Sequence, residues 1–144
     1  MRQRCRRRLA ETGLRAVDLH ELCAEFGSRR ARPVVLSSMT MPSNNIHAML
    51  VRASEADYIV YERDTTPLHQ QHLIAHELGH LIWDHRGLTG LSGGHADYDP
   101  VEELEAETTA TLLLERQHRT LAGLARSERT RTMGQALGFE FGRW

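Results

Sequence analysis

The sequence predicts an α+β fold in which a small antiparallel sheet packs on one helix rich in histidine and on a later helix rich in glutamate. Three observations predict it. Extended segments crowd into residues 33–62, histidines recur at helical spacing after Thr66-Pro67, and Asp99-Pro100 opens a second long helical stretch. With 144 residues, 40% of them hydrophobic, there is room for one modest core. A single domain over 1–144 is expected, with N-terminal helices in 1–32, a core in 33–120 and a tail in 121–144.

Residues 2–12 read as a short arginine-rich helix that Gly13 ends. A second helix over 17–27 spaces Val17, Leu19, Leu22, Cys23 and Phe26 on one face, with Gly27 as its stop. Arg29 to Arg32 and Pro33 form a connector, and 33–37 a short strand. A turn at 41–45 precedes two further strands, 46–52 and 57–62, joined through Ser54-Glu55-Ala56. Thr66 offers a capping hydroxyl and Pro67 the first helical position. That helix is expected to reach about His85, with Gly87 as its stop. Residues 87–99 hold four glycines and read as a loop. Asp99 caps and Pro100 opens the next helix, expected to about Thr120, and one more helix is expected over 127–137.

Composition narrows the function. The 18 basic and 19 acidic residues nearly cancel, so no whole-chain field points to nucleic acid or membrane. All 18 basic residues are arginine. Five of them lie between Arg2 and Arg8 without interleaved aromatics, which reads as a solvated face or a partner contact, and direct nucleic-acid binding is not expected. The apolar runs are far too short for a membrane span. The arginine-rich start lacks the apolar stretch of a signal peptide, so a cytoplasmic location is expected. Cys5 and Cys23 make neither a disulfide framework nor a metal knuckle, and Cys23 is expected in the core.

The chemistry concentrates in His76-Glu77-Leu78-Gly79-His80. Residues four apart share a helix face, so His76 and His80 present two imidazoles to one ion while Glu77 stands beside them as a general base. This HExxH string is only moderately specific alone. Its setting among Leu73, Ile74, Ala75, Leu78, Leu81 and Ile82 strengthens it, because a buried helix does not carry such groups without partners. His72 and His76 form a rival pair, but only His76 and His80 have the glutamate directly after the first histidine. His69 and His72 are expected to flank the cleft, and His85 to fall off the face as a C-terminal residue of the helix. A catalytic zinc needs a third protein ligand. Glu102, Glu103, Glu105 and Glu107 compete for that place. Glu103 lies near the buried face marked by Ala106, Ala110 and Leu113, Glu107 shares its face, and Glu102 and Glu105 are expected to lean outward.

Together, HQQHLIAHELGHLIWDH and EELEAETTATLLLE resemble the ImmA/IrrE-type metallopeptidases, and more narrowly the small actinobacterial ParH-like, toxin-like proteins. The family's second motif matches at Glu103, Ala106 and Ala110, followed by Leu113-Leu114, with Thr109 where the family usually has phenylalanine. The resemblance covers residues 46–115 well. It implies a minimal zincin-like domain, Zn2+ held by His76, His80 and Glu103, and Glu77 as the catalytic base. It also implies an intracellular endopeptidase that acts on a protein substrate such as a helix-turn-helix repressor. Residues 58–62 could pair with substrate as an added strand. His95, Tyr98 or an arginine could stabilise the oxyanion, and Asp84 or Asp99 could orient a ligand histidine. The alternative function is a non-proteolytic binding module, a toxin-antitoxin component that sequesters a regulator.

Overall fold

The computed structural model describes residues 1–89 and 98–137, in the order α1 (Arg2–Thr12), α2 (Leu19–Arg29), β1 (Val34–Met39), β2 (Ala48–Arg52), β3 (Asp57–Glu62), α3 (Pro67–Ile82), β4 (Leu88–Thr89) and α4 (Pro100–Ala136). The class is α+β, of the minimal zincin-like kind. No described helix is long and apolar enough to cross a membrane.

The sheet is mixed rather than antiparallel, with the order β1-β3-β2-β4. β2 and β3 form the expected antiparallel hairpin, with Leu50 opposite Ile59. β1 instead joins the far side of β3 in parallel, Val34 opposite Asp57 and Leu36 opposite Ile59, and β4 adds in parallel beside β2. The connection over 40–47 lets the chain skip one position, so β3 slots between its two predecessors. β3 therefore has a neighbour on both sides along most of its length, which removes it as an edge for substrate pairing.

One face of the sheet carries the core. Leu50 and Ile59 meet Ile74, Leu78 and Ile82 of α3, and Leu19, Leu22 and Cys23 of α2 close the other side with Ala110 and Leu113 of α4. All these residues are essentially buried. Burial pushes the Cys23 thiol up to about 12, with Asp18 adding to the shift, so it packs as a small apolar group.

Two helices end at turns that no glycine forms. α1 stops at Gly13 in the left-handed region, as expected. Gly27 does not end α2. The helix runs to Arg29 and closes in a Schellman turn with Ala31 at φ 54°, Arg32 N–H donating to Gly27 carbonyl and Ala31 N–H to Ser28 carbonyl. Gly27 serves a close approach instead, since a β-carbon there would stand 2.9 Å from the Val34 nitrogen. The same turn ends α3 early. Asp84 at φ 58° takes the left-handed position, and His85 N–H donates to the His80 carbonyl at 2.9 Å. Asp99 and Glu102 complete a capping box at the start of α4, which then runs unbroken through the expected break and absorbs the separate 127–137 helix.

Asp57 ties these turns to the sheet. It is fully buried and meets Arg30 at 2.5 Å, Arg32 at 3.1 Å and Arg52 at 3.3 Å. The left-handed Ala31 lies between two of those arginines, so the turn that ends α2 also aims both guanidiniums inward.

Candidate metal centre

The centre forms where α3 passes across the first turns of α4. Thr66 caps α3 by accepting from His69 N–H, and Pro67 occupies the first turn. Helical spacing then places His76 and His80 on the face towards α4, with their Nε2 atoms 3.2 Å apart. Glu103 reaches both rings, Oε2 at 3.3 Å from His76 Nε2 and Oε1 at 3.5 Å from His80 Nε2. One ligand atom from each of the three residues lies within 4.8 Å of the others, a donor set able to hold a divalent metal ion.

Gly79 makes this approach possible. A β-carbon there would stand 2.6 Å from the Ala106 carbonyl oxygen and 3.0 Å from the Ala106 α-carbon. The helices thus touch backbone to backbone one turn beyond Glu103. We expect Gly79→Ala to destabilise the chain by about 1–3 kcal/mol through overpacking, less the ~1 kcal/mol helix preference for alanine. Metal affinity should fall with it, because α4 carries Glu103 away as it shifts. Denaturant unfolding and metal content measure both. A variant unchanged in each would show that the contact does not set the spacing.

Glu107, the rival for the third place, lies on the other side of His76: its Oε2 is 2.9 Å from His76 Nδ1, and its Oε1 is 3.3 Å from His72 Nε2. His72 thus meets the centre through Glu107. His69 lies further off, paired with Thr65 Oγ1 at 2.8 Å and near the His47 ring.

Three expectations change here. His85 does not fall away from the centre. It is 6% exposed, and its Nδ1 is 2.9 Å from His80 Nδ1, because the turn at Asp84 folds the chain back under the helix end. Glu105 does not lean outward. It is buried, 2.7 Å from His85 Nε2 and 2.7 Å from Arg4. Its signal was present: Glu105, Thr109 and Leu112 form a buried stripe beside Ala106, Ala110 and Leu113, which places Glu103 and Glu107 on the cleft border. Asp84 and Asp99 orient neither histidine, since Asp84 pairs with Arg52 and Asp99 caps α4.

Thr109 is fully buried and accepts from Trp83 Nε1 at 2.9 Å, so a polar contact to the end of α3 occupies the phenylalanine position. Tyr98 stacks on His80 with ring centroids 3.6 Å apart. His95 lies outside the described residues.

Burial sets the electrostatics. His80 is pushed down to about 3 by burial, then by His76 and His85, so its ring is neutral. Glu77 is pushed up to about 7, mainly by burial and further by Glu103, with His76 opposing. Among the described residues its Oε2 has no partner, and neither does the buried Tyr98 hydroxyl. Burial, then Glu77 and Glu103, raise the tyrosine well above its ordinary range, so it keeps its proton.

No curated protein and no solved structure matches the chain. The IrrE N-terminal-like domain matches residues 30–129, a stretch that runs from the end of α2 into the outer half of α4. That stretch is well over half of the chain and contains the whole histidine and glutamate donor set, and on it the chain belongs to the IrrE N-terminal-like domain family of metallopeptidases.

Proposed function

We propose that this metallopeptidase is a zinc endopeptidase that cuts a partner protein, with a helix-turn-helix transcription regulator as the substrate its family resemblance implies. One observation carries the metal assignment. Ligand atoms set tetrahedrally about zinc at about 2.0–2.1 Å stand about 3.3 Å from one another. The two Nε2 atoms stand 3.2 Å apart, at that spacing, and the Glu103 carboxylate faces both, with Oε2 3.3 Å from His76 Nε2 and Oε1 3.5 Å from His80 Nε2. His76, His80 and Glu103 are thus the residues that would hold zinc.

Zinc held there would supply Lewis acidity towards a water nucleophile and the scissile carbonyl. The remaining work falls to this chain. Glu77, buried and near neutral in its proton affinity, takes the proton of the attacking water and returns it to the leaving amine. Tyr98 keeps a hydroxyl proton that has no partner among the described residues and can donate to the developing oxyanion. A groove of about 640 Å³ lined by Leu68, His72, Thr111, Leu114 and Leu121 lies towards the start of α3 from the donors, none of which lines it, and suits an apolar segment of a bound protein.

The test is metal analysis of the purified chain beside Glu103→Ala, with a co-expressed regulator as substrate. Wild type should carry one zinc and cleave the regulator, and Glu103→Ala should lose the metal. Full zinc without Glu103 would move the third ligand to Glu107. A regulator that copurifies intact would favour the sequestering module over the protease.

A further inference from the structure

An imidazole can hold a metal only through a nitrogen whose lone pair is free. In His80 that condition is set by the other nitrogen, and the contacts that set it can be followed outward. His80 Nδ1 faces His85 Nδ1 at 2.9 Å, with both rings buried. A hydrogen bond between two imidazole nitrogens contains one proton, so one ring donates and the other accepts. The choice is made one residue further on. His85 Nε2 is 2.7 Å from Glu105 Oε2, and a carboxylate only accepts. The Oε1 of Glu105 takes the Arg4 guanidinium at 2.7 Å. In a neutral His85 the single proton is therefore on Nε2, directed to Glu105. His85 Nδ1 is left with a lone pair, and His80 Nδ1–H donates to it. His80 Nε2 is then bare on the side where His76 and Glu103 converge.

We propose that Arg4, Glu105 and His85 form a relay that sets the tautomer of His80 and thereby tunes how tightly the centre takes a metal ion. The proposal rests on the reading of His80 as a ligand. It gives positioning roles to three residues, none of which touches the ion. It also gives α1 a function that its arginine-rich sequence concealed. Arg4 stands over the Trp83 ring at 4.8 Å while it holds Glu105, and Trp83 is itself anchored on Thr109. Arg4 precedes the residues that match the family, so the outer end of the relay is supplied by this chain's own N-terminal helix. His76 has the simpler arrangement of Nδ1 directly on Glu107. The His80 arm is longer and more deeply buried, and it ends in a different helix.

The experiment reads protons and zinc separately on the full chain. Two-bond nitrogen–proton correlation spectra of the metal-free, ¹⁵N-histidine-labelled protein should show His80 protonated on Nδ1 and His85 on Nε2. Zinc affinity, from competition with a chromophoric chelator, should fall about 10–100-fold in His85→Leu. His85→Gln should restore it to within roughly threefold of wild type, because the amide offers one acceptor and one donor as neutral histidine does. Arg4→Gln should show a smaller loss.

A proton on His80 Nε2 in the wild type would overturn the relay, since His85 would then be the donor to His80. Wild-type affinity in the leucine variant would overturn it too, as would a glutamine variant as weak as leucine, which would mark a packing role only. If the leucine variant does not fold, the wild-type tautomers and the glutamine variant still decide. A wild-type chain that takes no zinc defeats the metal reading, while the tautomer spectrum tests the relay independently.

Discussion

Replacing Glu77 with glutamine should lower peptide hydrolysis by about 10²–10⁴-fold while zinc content stays at the wild-type level. The amide keeps the size of the side chain but cannot accept the proton of the attacking water. Glu77 is not one of the converging donors, so the metal should remain. The same variant should gain stability when metal-free. Burial raises the Glu77 carboxyl to about 7, against an ordinary 4.5. A raised acid means that the folded chain binds the extra proton, so stability declines as pH rises from the unfolded value through the folded one. Above that window the glutamine variant escapes a cost of up to about 3 kcal/mol. Lower activity with higher metal-free stability is the signature of a catalytic group held in an unfavourable place. Hydrolysis at the wild-type rate, or zinc lost along with activity, would remove Glu77 from the base's role.

Asp57→Ala should be the most damaging change away from the centre, at about 3 kcal/mol, or roughly a 10 °C fall in Tm. Three guanidiniums converge on that one buried carboxylate, and its loss leaves them facing one another across the junction of α2, β1 and β3. Each arginine keeps some exposure and can turn to water, which holds the cost near the lower end for a broken buried pair. Burial alone would raise the Asp57 carboxyl, but hydrogen bonds from Arg32 and Arg30, and the charges of Arg30 and Arg52, hold it below its ordinary 3.8. Its contribution is therefore complete above about pH 4 and is lost as pH falls through the folded value. Asp57→Asn makes the measurement clean. Its deficit relative to wild type should be constant at neutral pH and shrink in acid unfolding titrations below pH 4. A deficit that does not depend on pH would mean that packing, not charge, is what Asp57 supplies.

The parts of this fold legible in the sequence are those whose causes are local. Thr66-Pro67 and Asp99-Pro100 announce their helices because a cap and a proline act within one turn. The β2–β3 hairpin follows from two adjacent extended runs. The helix ends at Arg29 and Ile82 differ from those expected at the nearby glycines, because Ala31 and Asp84 take the left-handed positions. Neither residue type marks such a turn clearly, and the packing around it decided the matter.

Site residues divide along the same line. His76, Glu77 and His80 stand within five residues, and helical spacing alone puts them together. Glu103 was separable from Glu107 only as a preference on sequence, because both share one face of α4. The backbone contact between Gly79 and Ala106 sets the rotation and depth of α4, with Glu103 on the Nε2 side of both rings and Glu107 on the Nδ1 side of His76. His85, Glu105 and Arg4 come from three elements, and nothing in their spacing links them. The sequence by itself determined the α+β class and the pair of imidazoles with its neighbouring glutamate, since those depend on interactions within one turn or one hairpin. Only the tertiary structure decided the mixed order of the strands, the carboxylate that faces the rings and the groups behind them, because each depends on how closely separate elements approach.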